Sequence, residues 1–187
     1  MNRCSWCEGN DLYVDYHDKE WGVPVYDDNK QFEFLVLESA QAGLSWLTIL
    51  KRRDSYRIAY DNFDPVKVAS FDEKKINELI SNEGIIRNKL KINASINNAR
   101  LFLDIQEEYG SFSKYLWGFV DNKQVVNTWK ELSEVPANTE LSDNITKDLK
   151  QRGFKFMGST IMYAHLQAVG IVNDHVVDCF RHKEVMA

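Results

Sequence analysis

Two cysteine–histidine pairs stand near opposite ends of this 187-residue chain, Cys4 with His17 and His175 with Cys179. Thiolate and imidazole are the ligands Zn2+ prefers, and structural zinc sites are usually four-coordinate and tetrahedral. If all four converge, a single closed site pins both termini together. His175 and Cys179 are four residues apart, so a helix would turn both the same way, as a chelating pair requires. No spacing rule links Cys4 to His17. Cys7 is a rival ligand, because Cys4-Ser5-Trp6-Cys7 is a knuckle whose two sulfurs suit a metal or a redox pair. The plainer alternative is a frayed Cys4, a locally hydrogen-bonded His17 and a Cys179 that is only a small buried hydrophobe.

The rest of the composition narrows the class. Three cysteines, an odd number with no secretory h-region before them, favour reduced thiols or a metal over a disulfide framework and a cytoplasmic location. No run approaches the ~18 apolar residues of a membrane span, so no membrane partner is expected. A length of 187 residues suits one domain over 1–187, and a monomer is expected. Three prolines and apolar positions at helical spacing, without period-2 alternation, predict a mostly α fold. The formal charge of −5 argues against a protein that coats nucleic acid indiscriminately. Local basic clusters remain: Lys51, Arg52 and Arg53; Arg87, Lys89 and Lys91; Lys147, Lys150, Arg152 and Lys155. A solvated helix surface accounts for each cluster taken alone.

Along the chain, residues 1–27 read as an irregular, aromatic-rich segment with Trp6, Tyr13, Tyr16, Trp21 and Tyr26, residues 28–180 as a helical body, and 181–187 as a flexible tail. Asp28 with Gln31 resembles a capping box that opens a helix containing Glu38. A helix is predicted over Trp46–Tyr60, a short one after Asp64-Pro65, another capped by Asp72 and ending near Gly84, and a long one over Lys89–Glu108 closed by Gly110. Residues 112–119 read as a short core helix, 121–140 as exposed loop, and two further helices run from Ser142 to Arg152 and from Thr160 to Val169.

The stretch Gly153-Phe154-Lys155-Phe156-Met157-Gly158 between those last two helices reads as a glycine-bearing hairpin. Such a turn can aim backbone N–H groups at a phosphate, although an ordinary interhelical turn explains it equally. Longer words decide the matter. Tyr16-His17-Asp18, Glu20-Trp21-Gly22-Val23-Pro24, Gln41-Ala42-Gly43-Leu44-Ser45-Trp46, Gly84-Ile85-Ile86-Arg87, Arg152-Gly153-Phe154-Lys155-Phe156 and Val172-Asn173-Asp174-His175-Val176 follow one another in order. The chain thereby resembles the bacterial 3-methyladenine DNA glycosylase I family, the Tag-type branch of the helix-hairpin-helix glycosylases, nearly end to end.

That resemblance implies a helix-hairpin-helix glycosylase-like helical domain whose N- and C-terminal segments are joined by one structural Zn2+ on Cys4, His17, His175 and Cys179, with Cys7 a bystander. It implies hydrolytic removal of 3-methyladenine from alkylated double-stranded DNA in base excision repair, with the free base as product and no strand-cleaving lyase step. Glu38 would be the catalytic carboxylate; Tyr16 and Trp46 would line the base pocket, with Trp6, Tyr13 and Trp21 as further wall. If a helix ran on through Gly43, Glu38, Ala42 and Trp46 would align at i, i+4 and i+8. DNA contacts would come from Arg87, Lys89, Gly153, Lys155 and Gly158, with Leu90 interrupting the basic pattern. Asn173 stands where many helix-hairpin-helix glycosylases carry a catalytic Asp, and Asp174 is expected to orient His175 beside the metal. The competing readings are a non-catalytic sensor of alkylated DNA or bases, and a zinc-stapled helical interaction domain.

Overall fold

Side-chain caps open most helices of the computed structural model, which describes residues 2–186. Asn10 accepts from Leu12 N and Tyr13 N to start α1 (Asp11–Lys19). Asp27 starts α2 (Asp28–Gln41) and Ser45 starts α3 (Trp46–Leu50). After α4 (Arg53–Ala59), Asp64 caps α5 (Pro65–Ala69), whose proline occupies the first turn where its missing N–H costs nothing. Asp72 caps α6 (Glu73–Ser81), Asn88 caps α7 (Lys89–Tyr109) and Ser111 caps α8 (Phe112–Gly118). Thr139 and Ser142 bond reciprocally at the start of α9 (Glu140–Arg152). Then come α10 (Ser159–Ala168), which has no side-chain cap, and α11 (Phe180–Glu184). A two-residue parallel pairing of β1 (Val125–Val126) with β2 (Val172–Asn173) sets Val125 opposite Val172 and Val126 opposite Asn173.

Several expectations need correction. The N-terminal segment is not irregular throughout, since α1 runs through Tyr13, Tyr16 and His17. Asp28 makes no capping box with Gln31. It accepts instead from Gln106 Nε2 and from Phe112 N and Ser113 N, so a first-turn residue of α2 caps α8 across the fold. The Trp46–Tyr60 helix is two helices, and α6 stops at Ser81, before Gly84. Residues 181–186 are no loose tail: α11 occupies most of them, with His182 and Val185 buried.

Every residue of α2 from Gln31 to Ala40 is buried, as befits a central helix covered on all sides. It packs against α3, α7, α8 and α10. Phe32, Phe102 and Phe112 pile up on one flank, with ring centroids 5.2 and 4.3 Å apart. On another, Arg53 binds both Glu20 oxygens at 2.7 Å and Glu33 at 2.6 Å. This fork fastens α4 and the end of α1 to α2, and so fixes the helix bearing Tyr16 against the helix bearing Glu38. Burial holds His165 down to a pKa of about 3, so its neutral ring hydrogen-bonds Gln31 Oε1 at 3.0 Å.

The segment after α1 threads along the end of α10 through Gly22 N to Gln167 O and Val25 N to Val169 O. Gly170 is required there: its φ is +69°, and a Cβ would meet the Val23 carbonyl carbon at 2.3 Å. Among the described residues, no helix is long and apolar enough to cross a membrane.

Candidate active site and metal centre

Cys4 precedes the first turn of the chain, His17 lies in the last turn of α1, and His175 and Cys179 lie between β2 and α11. All four are buried, and one ligand atom from each lies within 4.8 Å of the others. Cys4 Sγ is 3.6 Å from His175 Nδ1, and Cys179 Sγ is 3.4 Å from His17 Nε2 and 3.5 Å from His175 Nδ1. Zn–S and Zn–N bonds of the usual length at tetrahedral angles give S···N edges of about 3.6 Å. The donor set and its spacing fit a tetrahedral ion. The expected helical pairing of His175 with Cys179 is not what joins them, because α11 begins only at Phe180 and Cys179 N instead bonds Val176 O in a turn.

The outer nitrogens of both rings are held. His17 Nδ1 faces Asp18 Oδ1 at 2.8 Å, and His175 Nε2 faces the Trp21 carbonyl at 3.0 Å. Those partners set the tautomers, presenting His17 Nε2 and His175 Nδ1 to the sulfurs. Asp174 is thus not the partner of His175, contrary to expectation. The Cys179 thiol is pulled down by its hydrogen bond from Cys4 and by the two imidazoles, and the Cys4 thiol is pushed up by the same neighbour. Cys7 stays outside: its Sγ donates to Cys4 O at 3.1 Å, and burial pushes its pKa up to about 11.

The aromatic segment links this centre to a cavity of about 450 Å³. Trp21 sits edge-on to His175 at 4.5 Å, and Trp6 edge-on to Trp21 at 5.1 Å and to His17 at 5.5 Å. Trp6, Trp21, Tyr16, Trp46 and Glu38 all line the cavity. Tyr16 lies 5.5 Å from Trp46, which stacks on Phe34 at 6.5 Å. Tyr13 lies behind the wall, edge-on to Trp6, where its hydroxyl accepts from Leu47 N and steadies the start of α3.

Glu38 and Trp46 reach the cavity by a different route from the one predicted. The helix ends at Gln41, and Gly43 turns the chain with φ +80°. Lys91 Nζ binds Ala40 O and Ala42 O at 2.8 and 2.7 Å, closing the exposed carbonyl end of α2 and fixing the turn between the two residues. Glu38 is 3% exposed; its Oε2 and the indole Nε1 of Trp46 are buried without a hydrogen-bond partner. Burial raises Glu38 from the ordinary 4.5 to about 8. Burial and the neighbouring Glu38 keep the Tyr16 phenol protonated.

Two further walls went unrecognised. Thr160, Tyr163, Ala164 and Gln167 of α10 line the cavity, as do Leu132, Val135, Pro136 and Ala137, so the 121–140 segment is not merely exposed loop. The α10 spacing of three, four and seven is the signal of one helical face.

The glycine-bearing turn between α9 and α10 is held from behind by α7. Asn98 donates to Lys155 O at 2.8 Å and accepts from Lys155 N at 2.9 Å, while Asn97 donates to Gly153 O at 3.0 Å. Gly153 N and Phe154 N bond Lys150 O and Leu149 O. The N–H groups of the first half of the turn are therefore used internally. What faces outward is the Lys155 side chain, the exposed Phe156 and the uncapped start of α10 after Gly158. Arg87 and Lys89 are exposed, Arg87 lying 3.7 Å from Glu83.

A helical body with a buried carboxylate among indoles and phenols is a pocket built for a flat, cationic aromatic ligand. The methyladenine glycosylase family model matches residues 6–182, and the chain belongs to that family. It is 49% identical over 179 residues to DNA-3-methyladenine glycosylase 1 of Escherichia coli (strain K12), covering 96% of each. Its fold matches a crystal structure of 3-methyladenine DNA glycosylase I with a TM-score of 0.93 at 46% identity, covering 96% of this chain and 98% of that one. A variant of such an enzyme solved in complex with 3-methyladenine matches equally, with a TM-score of 0.93 at 38% identity over 96% and 97% of the two chains.

Proposed function

We propose that this protein flips 3-methyladenine out of alkylated double-stranded DNA and hydrolyses its glycosylic bond, in base excision repair. The observation that carries the reading is Glu38, a fully buried carboxyl with an unpartnered oxygen, lining a cavity otherwise walled by aromatic rings. Methylation at N3 makes adenine a cation in DNA, and the base departs neutral, so the glycosylic bond is already weak and a strong general acid is unnecessary. The protein's work is to take the base out of the stack, hold it and admit water to the sugar. Trp46, Tyr16, Trp6 and Trp21 supply π faces worth roughly 0.5–2 kcal/mol each toward a cation. Glu38 supplies the anion. Asn173 supports the view that this branch does without the usual Asp, since its amide is engaged with His182 O and His175 N inside the body.

Release of free 3-methyladenine from methylated duplex DNA tests the reading. Wild-type protein is expected to release it, and Trp46→Ala to lose about 10-fold or more in rate. A folded wild type that binds methylated DNA and releases nothing would establish a sensor instead.

On this reading α9, the glycine turn and α10 form the helix-hairpin-helix that grips the DNA backbone, with Lys155, Gly153 and Gly158 at the turn and Arg87 and Lys89 flanking it. Lys155→Glu is expected to weaken duplex binding and lower the slope of log K against log salt by about one. An unchanged slope would remove Lys155 from the contact surface. The ion suited to Cys4, His17, His175 and Cys179 is Zn2+, in a structural role, because four protein ligands leave no position for a reacting water.

A further inference from the structure

Asp174 is 2% exposed, and its carboxylate accepts four hydrogen bonds, two at each oxygen. Oδ1 accepts from Asn127 Nδ2 and Trp129 Nε1, both at 2.7 Å. Oδ2 accepts from Tyr163 Oη at 2.5 Å and Gln167 Nε2 at 2.7 Å. The two sets of donors belong to different walls of the cavity. Tyr163 and Gln167 line it from α10, while Trp129 and Asn127 begin the segment that lines it at Val135 and Pro136.

That segment is tied together by its own hydrogen bonds. Glu134 Oε2 accepts from Lys130 N at 2.6 Å and Glu131 N at 3.2 Å, closing the turn directly after Trp129. Trp129 O also accepts from Val177 N, and Asn127 N donates to Asn173 O, so both residues that meet Oδ1 are moored on the chain around Asp174. We infer that Asp174 is a positioning residue for the base pocket: it clamps the α10 wall to the 127–137 wall, one oxygen to each, and so sets the width of the cavity.

The chemistry of the clamp explains why a carboxylate is needed. Four donors converge, and only an ionised carboxyl offers acceptors to all of them. An asparagine of the same shape can serve one wall only: its NH2 either faces the donor-only Trp129 Nε1–H, or makes Tyr163 and Gln167 reorient to accept from it. The Gln167 amide is oriented by the same rule, because its nitrogen must face Asp174, which leaves the oxygen as the free end.

The inference rests on the cavity being the base site, and the experiment separates the two. Free 3-methyladenine is titrated into wild type, Asp174→Asn, and the double variant Asp174→Asn with Asn127→Asp, which offers a carboxylate to the new NH2. Hydrogen exchange of residues 127–137 and metal content are followed alongside. The expected result is a dissociation constant raised at least 10-fold in Asp174→Asn, faster exchange confined to 127–137, unchanged metal content, unchanged affinity for undamaged duplex, and partial recovery of base affinity in the double variant. Asp174→Asn with lowered thermal stability but wild-type base affinity in the folded protein would overturn the clamp. Absence of 3-methyladenine binding by the wild type itself would refute the functional reading instead, and slow exchange of 127–137 in Asp174→Asn would then still refute the clamp.

Discussion

Glu38→Gln is expected to slow excision of 3-methyladenine by about 10²- to 10³-fold, the lower part of the roughly 3–5 kcal/mol typical of removing one partner from a buried charge pair. It should also flatten the dependence of the reaction on pH. Glu38 is pushed up to about 8 by burial, so below that pH the free protein holds the carboxyl protonated, and a cationic base must expel the proton to gain its counter-ion. Apparent affinity for the cationic lesion should therefore rise by about tenfold per pH unit well below 8 and level off as pH passes through it. In Glu38→Gln that rise should vanish.

The same shift has a sign for stability. A carboxyl whose folded pKa lies above its unfolded value makes folding bind a proton, so its cost is absent below 4.5 and grows from there to about 8. Over that window the cost reaches on the order of 5 kcal/mol. Thermal melts should show Glu38→Gln gaining on the wild type between pH 5 and 8. A wild-type pH–rate slope retained in Glu38→Gln, or a stability difference independent of pH, would move the charge to another residue.

A buried acid of this kind was only half legible beforehand. Glu38 sits within an apolar run, yet without the resemblance it reads as an exposed helix carboxylate, and its alignment with Trp46 presupposed a helix through Gly43. The glycine's positive φ breaks that helix, and Lys91 rebuilds the geometry with an ammonium drawn from 49 and 51 residues away. Periodicity sees neighbours within a helix; it is blind to a side chain that arrives from another one. For the same reason Asp28 looked like the partner of Gln31, while its real partners lie 78 to 85 residues along.

Local signals fared better where the chemistry itself is local. Asp64-Pro65 and Asp72 open helices, and Gly110 closes one with φ +83°, because a cap or a left-handed residue needs only its immediate backbone. The four residues of the Cys/His cluster were nominated by residue type with Cys7 as a rival that only the resemblance set aside, and the base-pocket residues came from resemblance alone. The α10 wall was hidden because Tyr163 also belongs to the hydrophobic core, so one apolar face reads like any other. The burial of His182 depends on Asn127 O and Asn173, contacts that no feature of residues 181–186 announces.

Removing the metal is expected to lower the melting temperature by about 10–20 °C while leaving excision intact at low temperature. A metal held by these four residues would tie Cys4 to Cys179 and close a loop of nearly the whole chain, a span over which a cross-link is worth about 5 kcal/mol. For a domain of this size each kcal/mol corresponds to about 2–4 °C. The strain of loss should appear first where the centre touches the pocket: Trp21 rests on His175, Trp6 rests on Trp21 and His17, and a Cβ on Gly22 would meet the His175 ring at 3.0 Å. Indole fluorescence should accordingly shift on chelation before the helices melt, as the contacts of Trp6 and Trp21 with the two histidines relax. Replacing Cys179 with Ser should reproduce the chelated state, whereas Cys7→Ser should leave metal content and melting temperature unchanged, since Cys7 is bonded to Cys4 O and not to the centre. Immediate loss of excision in a chelated protein that still melts at the wild-type temperature would show the metal to act in the chemistry and not in the fold.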